Sequence, residues 1–533
     1  MANFITPREA AQLIEPGWTI TTGGFGSCGH PEAITAALEE RFAAEKSPHG
    51  LTLLFSAGQG DKGSRGINRL GSPGLLERVI GGYWALAPRL CELAQSGAVE
   101  AYNWPQGIIS QLFRAIAAGS PGVVSRVGLN TFIDPRQQGG RLNSSCREQL
   151  VKLIHLDEEE FLLYPSMPIQ CAVIRGTRAD AKGNISMERE ANFQDALAQA
   201  LAAHNSGGIV IAQVERISSE PIHAHLVRVP GIVVDYVVVA PPELHWQTYG
   251  EPFNPAFIGD QGEGNPIRLP VAPMGPKKII ARRAYLELMD MEAGAVVNLG
   301  IGIPETIASV ANEERSYGFT LTVESGAIGG YPAGGMSFGA TVAPEAVIEQ
   351  PSLFDLYDGG GIDIAFLGNA QTDSSGNVNV SSFGGRLCGV GGFVNISQAA
   401  KRVVFCGTFT TGGLIVEVRE GKLHIANEGK IAKFVNQVEQ LSFNASFDRR
   451  QPEEVLYVTE RCVLRHIDGA LTVVEVAPGI DPVKDVVEKA DADIRIATDL
   501  KEMDSRIFNG GAMSLRREPH RFVHYFPPTV TLQ

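Results

Sequence analysis

The chain has no run of about 18 uninterrupted apolar residues, so the sequence predicts no membrane-spanning helix. Its first residues, Met1-Ala2-Asn3-Phe4-Ile5-Thr6-Pro7-Arg8-Glu9, carry no apolar signal core. It has no C-x-x-C pair. Seven cysteines, at 28, 91, 146, 171, 388, 406 and 462, are odd in number and widely spaced. They read as buried free thiols of a reducing compartment. Positive charge is in deficit, with a net charge of −14, which argues against a general nucleic-acid binder. An anionic small ligand would need only a local electropositive pocket. Metal-ligand spacing is also missing. His223-Ala224-His225 is a lone pair read as sharing one face of a strand, with no ligand cluster beside it, so no metal is expected. From these absences a cytoplasmic protein with no nucleic-acid or membrane partner is expected.

What is present is a long, ordinary globular composition. At 533 residues the chain exceeds one core, and 44% hydrophobic against 20% charged residues can bury two or more. The 60 glycines suit a fold with many tight strand-to-helix turns. The two halves match in order. Glu15 to Ile20 followed by Gly23-Gly24-Phe25-Gly26-Ser27-Cys28-Gly29-His30-Pro31-Glu32 parallels Glu292 to Val297 followed by Asn298-Leu299-Gly300-Ile301-Gly302-Ile303-Pro304-Glu305. Each is a strand, a glycine loop and a helix opened by Pro-Glu. Gly50 to Gly58 then parallels Gly318 to Gly326, and Asp180-Ala181-Lys182-Gly183-Asn184 parallels Asp373-Ser374-Ser375-Gly376-Asn377. The fold class expected is therefore α/β: two tandem, duplicated open α/β domains with largely parallel sheets. Residues 1–240 would form the first and 277–533 the second. Residues 241–276, rich in Pro and Gly, would connect them. Gly231 to Ala240 reads as sheet, and Lys277 to Met291 as the first helix of the second half.

Glu324 is the residue to test first. Phe319 to Val323 reads as a buried strand, and Glu324-Ser325-Gly326 follows where ligands bind in open α/β folds. The bland reading is a turn or cap carboxylate. Ser56 holds the corresponding place in the first half, so one site per chain between unequal halves is the economical inference. The glycine loops at 23–31 and 300–304 present free N–H groups ahead of helices, as anion or oxyanion sites do. Gly24, Gly26 and Gly29 fit G-x-G-x-x-G, a weak signal alone, and no acidic residue ends a second strand to support a dinucleotide fold. Cys388-Gly389-Val390-Gly391-Gly392-Phe393 offers further unshielded N–H groups. Asn103-Trp104-Pro105-Gln106-Gly107 sets an amide beside a turn.

In combination these segments resemble the family I CoA-transferases, in the single-chain form that joins α- and β-like parts. The similarity is to the bacterial acetate, propionate and short-chain acyl-CoA transferases in particular, and it spans nearly the whole chain. Gly24 to Pro31 is similar to the family's G-F-x-x-x-G-x-P. Thr131-Phe132-Ile133-Asp134-Pro135-Arg136 with Gly139-Gly140-Arg141-Leu142-Asn143 also matches. So do Val297 to Pro304, similar to N-L-G-I-G-[IL]-P, and Glu324-Ser325-Gly326 with Gly329-Gly330. The resemblance implies ping-pong transfer through a γ-glutamyl-CoA thioester on Glu324. It makes the Gln106 side-chain amide and the Gly392 N–H the oxyanion donors. CoA contacts are expected from Gly24, Gly26, Gly29, Gly300, Gly302, Gly326, Gly389 and Gly391. Acyl-CoA and short-chain carboxylic acids would be the substrates, with no cofactor beyond coenzyme A itself, in a homodimer or homotetramer. Gly330 to Gly335 and Phe338 to Ala340 are expected to shape the acyl pocket. An acyl-CoA hydrolase on the same scaffold, a sugar-phosphate isomerase and a non-catalytic CoA-binding protein are the alternatives.

Overall fold

The computed structural model describes residues 2–260, 271–314, 318–447 and 452–515. Two large sheets dominate it. The first takes its eight strands from residues 3–239, in the spatial order Asn3–Ile5, Tyr236–Val239, Ile209–Val214, Cys171–Arg175, Thr19–Thr22, Leu51–Phe55, Leu76–Gly81 and Glu100–Asn103. Every neighbouring pair in it is parallel. Parallel sheets need both faces covered, and these strands are accordingly apolar on both sides: Cys171–Arg175 is buried throughout.

The second sheet has ten strands from residues 295–502. Its parallel centre runs Phe319–Val323, Ala295–Leu299, Ile364–Gly368, Arg402–Cys406 and Glu454–Val458. That order repeats the first sheet's Leu51–Phe55, Thr19–Thr22, Cys171–Arg175, Ile209–Val214 and Tyr236–Val239. The paired Asp turns agree atom for atom. Asp180 Oδ1 accepts from the Lys182 and Asn184 N–H groups, and Asp373 Oδ1 from those of Ser375 and Asn377. Asn184 and Asn377 each donate a side-chain amide to the other carboxylate oxygen.

The halves diverge where Glu324 stands. After Phe55 the first half continues to a further parallel strand, Leu76–Gly81. After Val323 the second half instead folds back at once. Thr322 and Val323 pair antiparallel with Ile328 and Ala327, leaving Glu324-Ser325-Gly326 as the turn. The Gly326 N–H donates to Val323 O, and a Cβ at Gly326 would lie 1.9 Å from Ile348 O.

One hydrophobic core crosses between the sheets. It joins Ile108, Leu112 and Phe113 of helix Gln106–Ala117 to Leu353, Phe354 and Phe393 of the second half. The contact is close at Gly107, whose Cβ would meet Phe354 at 2.4 Å and Asn395 Nδ2 at 2.5 Å. This seam places the start of helix Gln106–Ala117 against the second half.

Several details differ from the sequence reading. His223 and His225 sit not on a strand but at a single 3-10 turn, Ala224–Leu226, where His223 Nδ1 accepts from the His225 N–H. Gly231–Val233 is likewise a 3-10 turn, and only Tyr236–Val239 is strand. Pro31 does stand directly before helix Glu32–Glu45, but the second copy's helix starts at Thr306, after Pro304 and Glu305. The helix expected at Lys277–Met291 is Pro276–Met289. Of the connector, residues 261–270 lie outside the described residues. Its earlier part is held between the halves: Tyr249 N–H donates to Ser27 O, and Thr248 Oγ1 bonds Ser337 Oγ at 3.0 Å. Among the described residues no helix is long and apolar enough to cross a membrane, and no three His, Cys, Asp or Glu side chains gather as a metal site.

Candidate active site

Glu324 lies in a cavity of about 270 Å³ at the seam, lined from both halves. Phe25, Gly26, Tyr83 and Gln106 come from the first half; Gly300, Ile301, Phe338, Leu367 and Cys388 to Phe393 come from the second. None of the described lining side chains is Lys, Arg or His.

The polar groups that act on the glutamate are the Gln106 side-chain amide and the Gly392 N–H. Both are delivered by the seam. Gln106 opens its helix directly after Pro105, and is only 2% exposed. The segment Cys388–Gly392 is laid along the first half by backbone bonds. Trp84 N–H donates to Cys388 O at 2.7 Å, Gly391 N–H to Gly82 O at 2.9 Å, and Gln106 N–H to Gly391 O at 2.9 Å. The Val390 N–H donates to Asn103 Oδ1, whose own amide donates to the carbonyls of Gly81 and Gly82. With the bonding groups of Gly391 used in this way, the next N–H, that of Gly392, is aimed at Glu324.

Gly392 has ordinary backbone angles (φ −81°), so its glycine identity answers to space rather than conformation. A Cβ there would stand 2.7 Å from Glu324 Cδ and Oε2. The carboxylate therefore rests directly on the Gly392 backbone.

Burial pushes the Glu324 carboxyl up to about 7, against the pull of the Gln106 and Gly392 hydrogen bonds. Desolvation wins because the two donors are neutral and no cation lines the cavity. Such a carboxylate is poorly solvated, which favours nucleophilic use once it is ionised.

The expected site residues fall into two groups. Glu324, Gln106 and Gly392 come together, and Gly26, Gly300, Gly389 and Gly391 line the same cavity. Gly24, Gly29, Gly302 and Gly326 do not. The Cβ space of Gly29 is filled by Gln194 and that of Gly24 by Gln59, so these two admit other parts of the protein. Of the segments expected to shape the acyl pocket, only Phe338 reaches the cavity. Tyr331–Pro332 pairs with Thr341–Val342, turning the loop back on itself, and Ala340 packs with Cys28, Ala191 and Phe257. Cys28, whose thiol burial pushes up to about 12, is a packing residue, whereas Cys388 faces the cavity. Sequence reasoning missed Tyr83 in the lining, and Gln350, which touches Gln106. Neither carries a local signal: one follows a Gly-Gly pair, the other opens an ordinary helix.

The raised carboxyl has a consequence for stability. Folding strengthens proton binding at Glu324 from the ordinary 4.5 to about 7. Its contribution is thus fully present below pH 4.5 and lost as pH rises towards 7. Glu324→Gln, which stays neutral, should raise the thermal midpoint over the parent chain at about pH 8, with the gain shrinking at about pH 5. Paired melting curves at the two pH values check this; an equal shift at both would contradict it.

Comparisons with known proteins agree with this geometry. The Coenzyme A transferase family model matches residues 4–240. The chain is 43% identical to the caffeate CoA-transferase of Acetobacterium woodii over 96% of its own length and 98% of that protein's. It is 40% identical to the acetate CoA-transferase YdiF of Escherichia coli, covering 96% of each chain. A crystal structure of the acyl-CoA transferase YdiF of Escherichia coli O157:H7, in a thioester complex with CoA, superposes with a TM-score of 0.90 at 38% identity, over 97% of this chain and 98% of that one. The seam-built cavity, the duplicated sheets and this end-to-end similarity together make the chain a member of the coenzyme A transferase family.

Proposed function

We propose that this enzyme transfers CoA between a short-chain acyl-CoA and a carboxylic acid, by a ping-pong route through Glu324. The observation that carries the reading is a carboxylate in the seam cavity that rests on the Gly392 backbone of the second half and faces the Gln106 side-chain amide of the first.

In the first step a Glu324 oxygen attacks the thioester carbonyl carbon. The C–S bond breaks, CoA leaves as thiolate, and a mixed anhydride remains. The thiolate then attacks Glu324 Cδ, forming the glutamyl thioester and releasing the first acid as its carboxylate. A second carboxylate repeats the two steps in reverse and departs as its CoA ester. Thioester is exchanged for thioester, so neither ATP nor a metal is needed for balance.

A carboxylate is a weak nucleophile, so positioning and exclusion of water must supply much of the rate. Each addition places negative charge on an oxygen that needs donors already aimed. Gln106 and Gly392 suit that role, since the Glu324 oxygen left as the carbonyl of the anhydride becomes the oxyanion when Cδ is attacked. The described lining is rich in Phe25, Leu86, Ile301, Phe338, Leu367 and Val390 and carries no cation. That suits an acyl group without a second charge, because an unpaired buried carboxylate is costly. The thioester complex described for the YdiF relative supports the covalent route.

Glu324→Ala should abolish transfer while leaving the melting curve cooperative; undiminished turnover would refute the mechanism. Glu324→Asp retracts the carboxylate by one methylene and should raise the ratio of hydrolysis to transfer, read as CoA release with and without acceptor acid. A parent enzyme releasing free CoA equally well without acceptor would be a hydrolase instead. Gly392→Ala keeps its N–H but drives a methyl into the Glu324 carboxylate, and by displacing that carboxylate from the donor should lower kcat by roughly 10²–10³. A near-normal kcat for that variant would contradict the close seat of the carboxylate on Gly392.

A further inference from the structure

The Gln106 carboxamide has a second partner that the transfer chemistry above does not use. Its Nε2 donates to Gln350 Oε1 at 3.4 Å. The other end of the Gln350 amide, Nε2, faces Ser110 Oγ at 2.6 Å, Ser56 Oγ at 3.0 Å and Asp195 Oδ2 at 3.0 Å. Ser56 Oγ donates to the same Asp195 oxygen. All five side chains are buried, none more than 2% exposed.

Asp195 stands at the N-cap position of helix Ala196–Asn205, the usual post of a capping carboxylate, yet it makes no side-chain cap bond. Its side chain is committed to the seam. The bonding is lopsided: Oδ2 takes the Ser56 and Gln350 donors, while Oδ1 has no hydrogen-bond partner among the described residues. A carboxylate kept only for packing or capping has no reason to be buried in this way. With Ser56 Oγ and Gln350 Nε2 both donating to Oδ2, Asp195 serves this network as an acceptor; burial pushes its carboxyl up to about 6, and Ser56, Ser110 and Gln350 pull it down.

An acceptor at one end fixes the polarity of a chain of amides. Facing Asp195, Gln350 must present its NH2 and therefore turns its oxygen towards Gln106. Gln106 must then present its NH2 at that corner, and its second N–H is free for Glu324. Were the Gln350 amide reversed, Gln106 would turn its oxygen towards Gln350 and lose the donor orientation that the oxyanion needs. Ser56, which anchors Asp195, is the first-half counterpart of Glu324. The position that carries the carboxylate in one copy holds the orienting network in the other.

We propose that Asp195 is a positioning residue for the transfer reaction, setting through Gln350 which end of the Gln106 carboxamide faces Glu324. The proposal rests on the reading of Gln106 as an oxyanion donor.

The test is a double-mutant cycle on steady-state transfer with Asp195→Asn and Gln106→Ala. Asn keeps the shape of Asp195 but no longer forces one amide orientation. Asp195→Asn should lower kcat about 10- to 100-fold with KM within about twofold, since the donor acts on the transition state. In the Gln106→Ala background it should cost nothing further, because the group being oriented is gone. A merely structural Asp195 would lower thermal stability and multiply its effect independently of Gln106; that result, or an unchanged kcat for Asp195→Asn, overturns the proposal. If Gln106→Ala is itself slow and Asp195→Asn is normal, only the positioning role falls. If Gln106→Ala is fully active, the oxyanion reading falls with it. Should Asp195→Asn fail to fold, Gln350→Leu breaks the same link to Gln106. In the same cycle its rate loss should vanish in the Gln106→Ala background, and a loss that persists there overturns the proposal.

Discussion

The structure turns on a partly buried carboxylate faced by two neutral donors. Glu324 has its ionisation pushed up to about 7, and what offsets the loss of hydration is one side-chain amide and one backbone N–H. Neither donor belongs to the strand that presents the glutamate. Gln106 comes from the other half of the chain, and Gly392 from a segment that the other half holds in place. The site exists only because the two halves meet, and the shared core around Phe354, Phe393 and Ile108 keeps them together.

Duplication accounts for the architecture, and the candidate site lies where the copies differ. The five central strands of each sheet follow the same spatial order, and the Asp180 and Asp373 turns share their hydrogen bonds. The copies part at one corner. In the first half the chain runs on from Phe55 into another parallel strand; in the second it reverses at Glu324 into a hairpin. The reversal projects a carboxylate into the seam, where the first half has Ser56, bonded to the Asp195 carboxylate and to Gln350 of the second half.

Much of this was legible in the residues. The paired glycine loops and Asp turns announced the repeat, and Phe319 to Gly326 announced a strand ending in a carboxylate. Gln106 and Gly392 were named through resemblance, because nothing local distinguishes an amide before a helix or one glycine among several. Four of the glycines grouped with them lie elsewhere, two of them filled by Gln59 and Gln194. A glycine pattern records where a Cβ cannot fit, not whether a ligand or the protein's own side chain excludes it. Asp195 and Gln350 left no trace at all, since their meaning lies in contacts spanning 155 residues. His223 and His225 were misplaced on a strand for a related reason: a short apolar alternation does not separate a strand from a 3-10 turn.

The central claim is that Glu324 becomes covalently attached during turnover, and peptide mass spectrometry after incubation with acetyl-CoA, with and without borohydride, tests it most directly. The account predicts a CoA adduct on the peptide carrying Glu324, converted by borohydride to the alcohol at that residue. An unmodified Glu324 across a panel of short acyl-CoAs that the enzyme demonstrably turns over would contradict it.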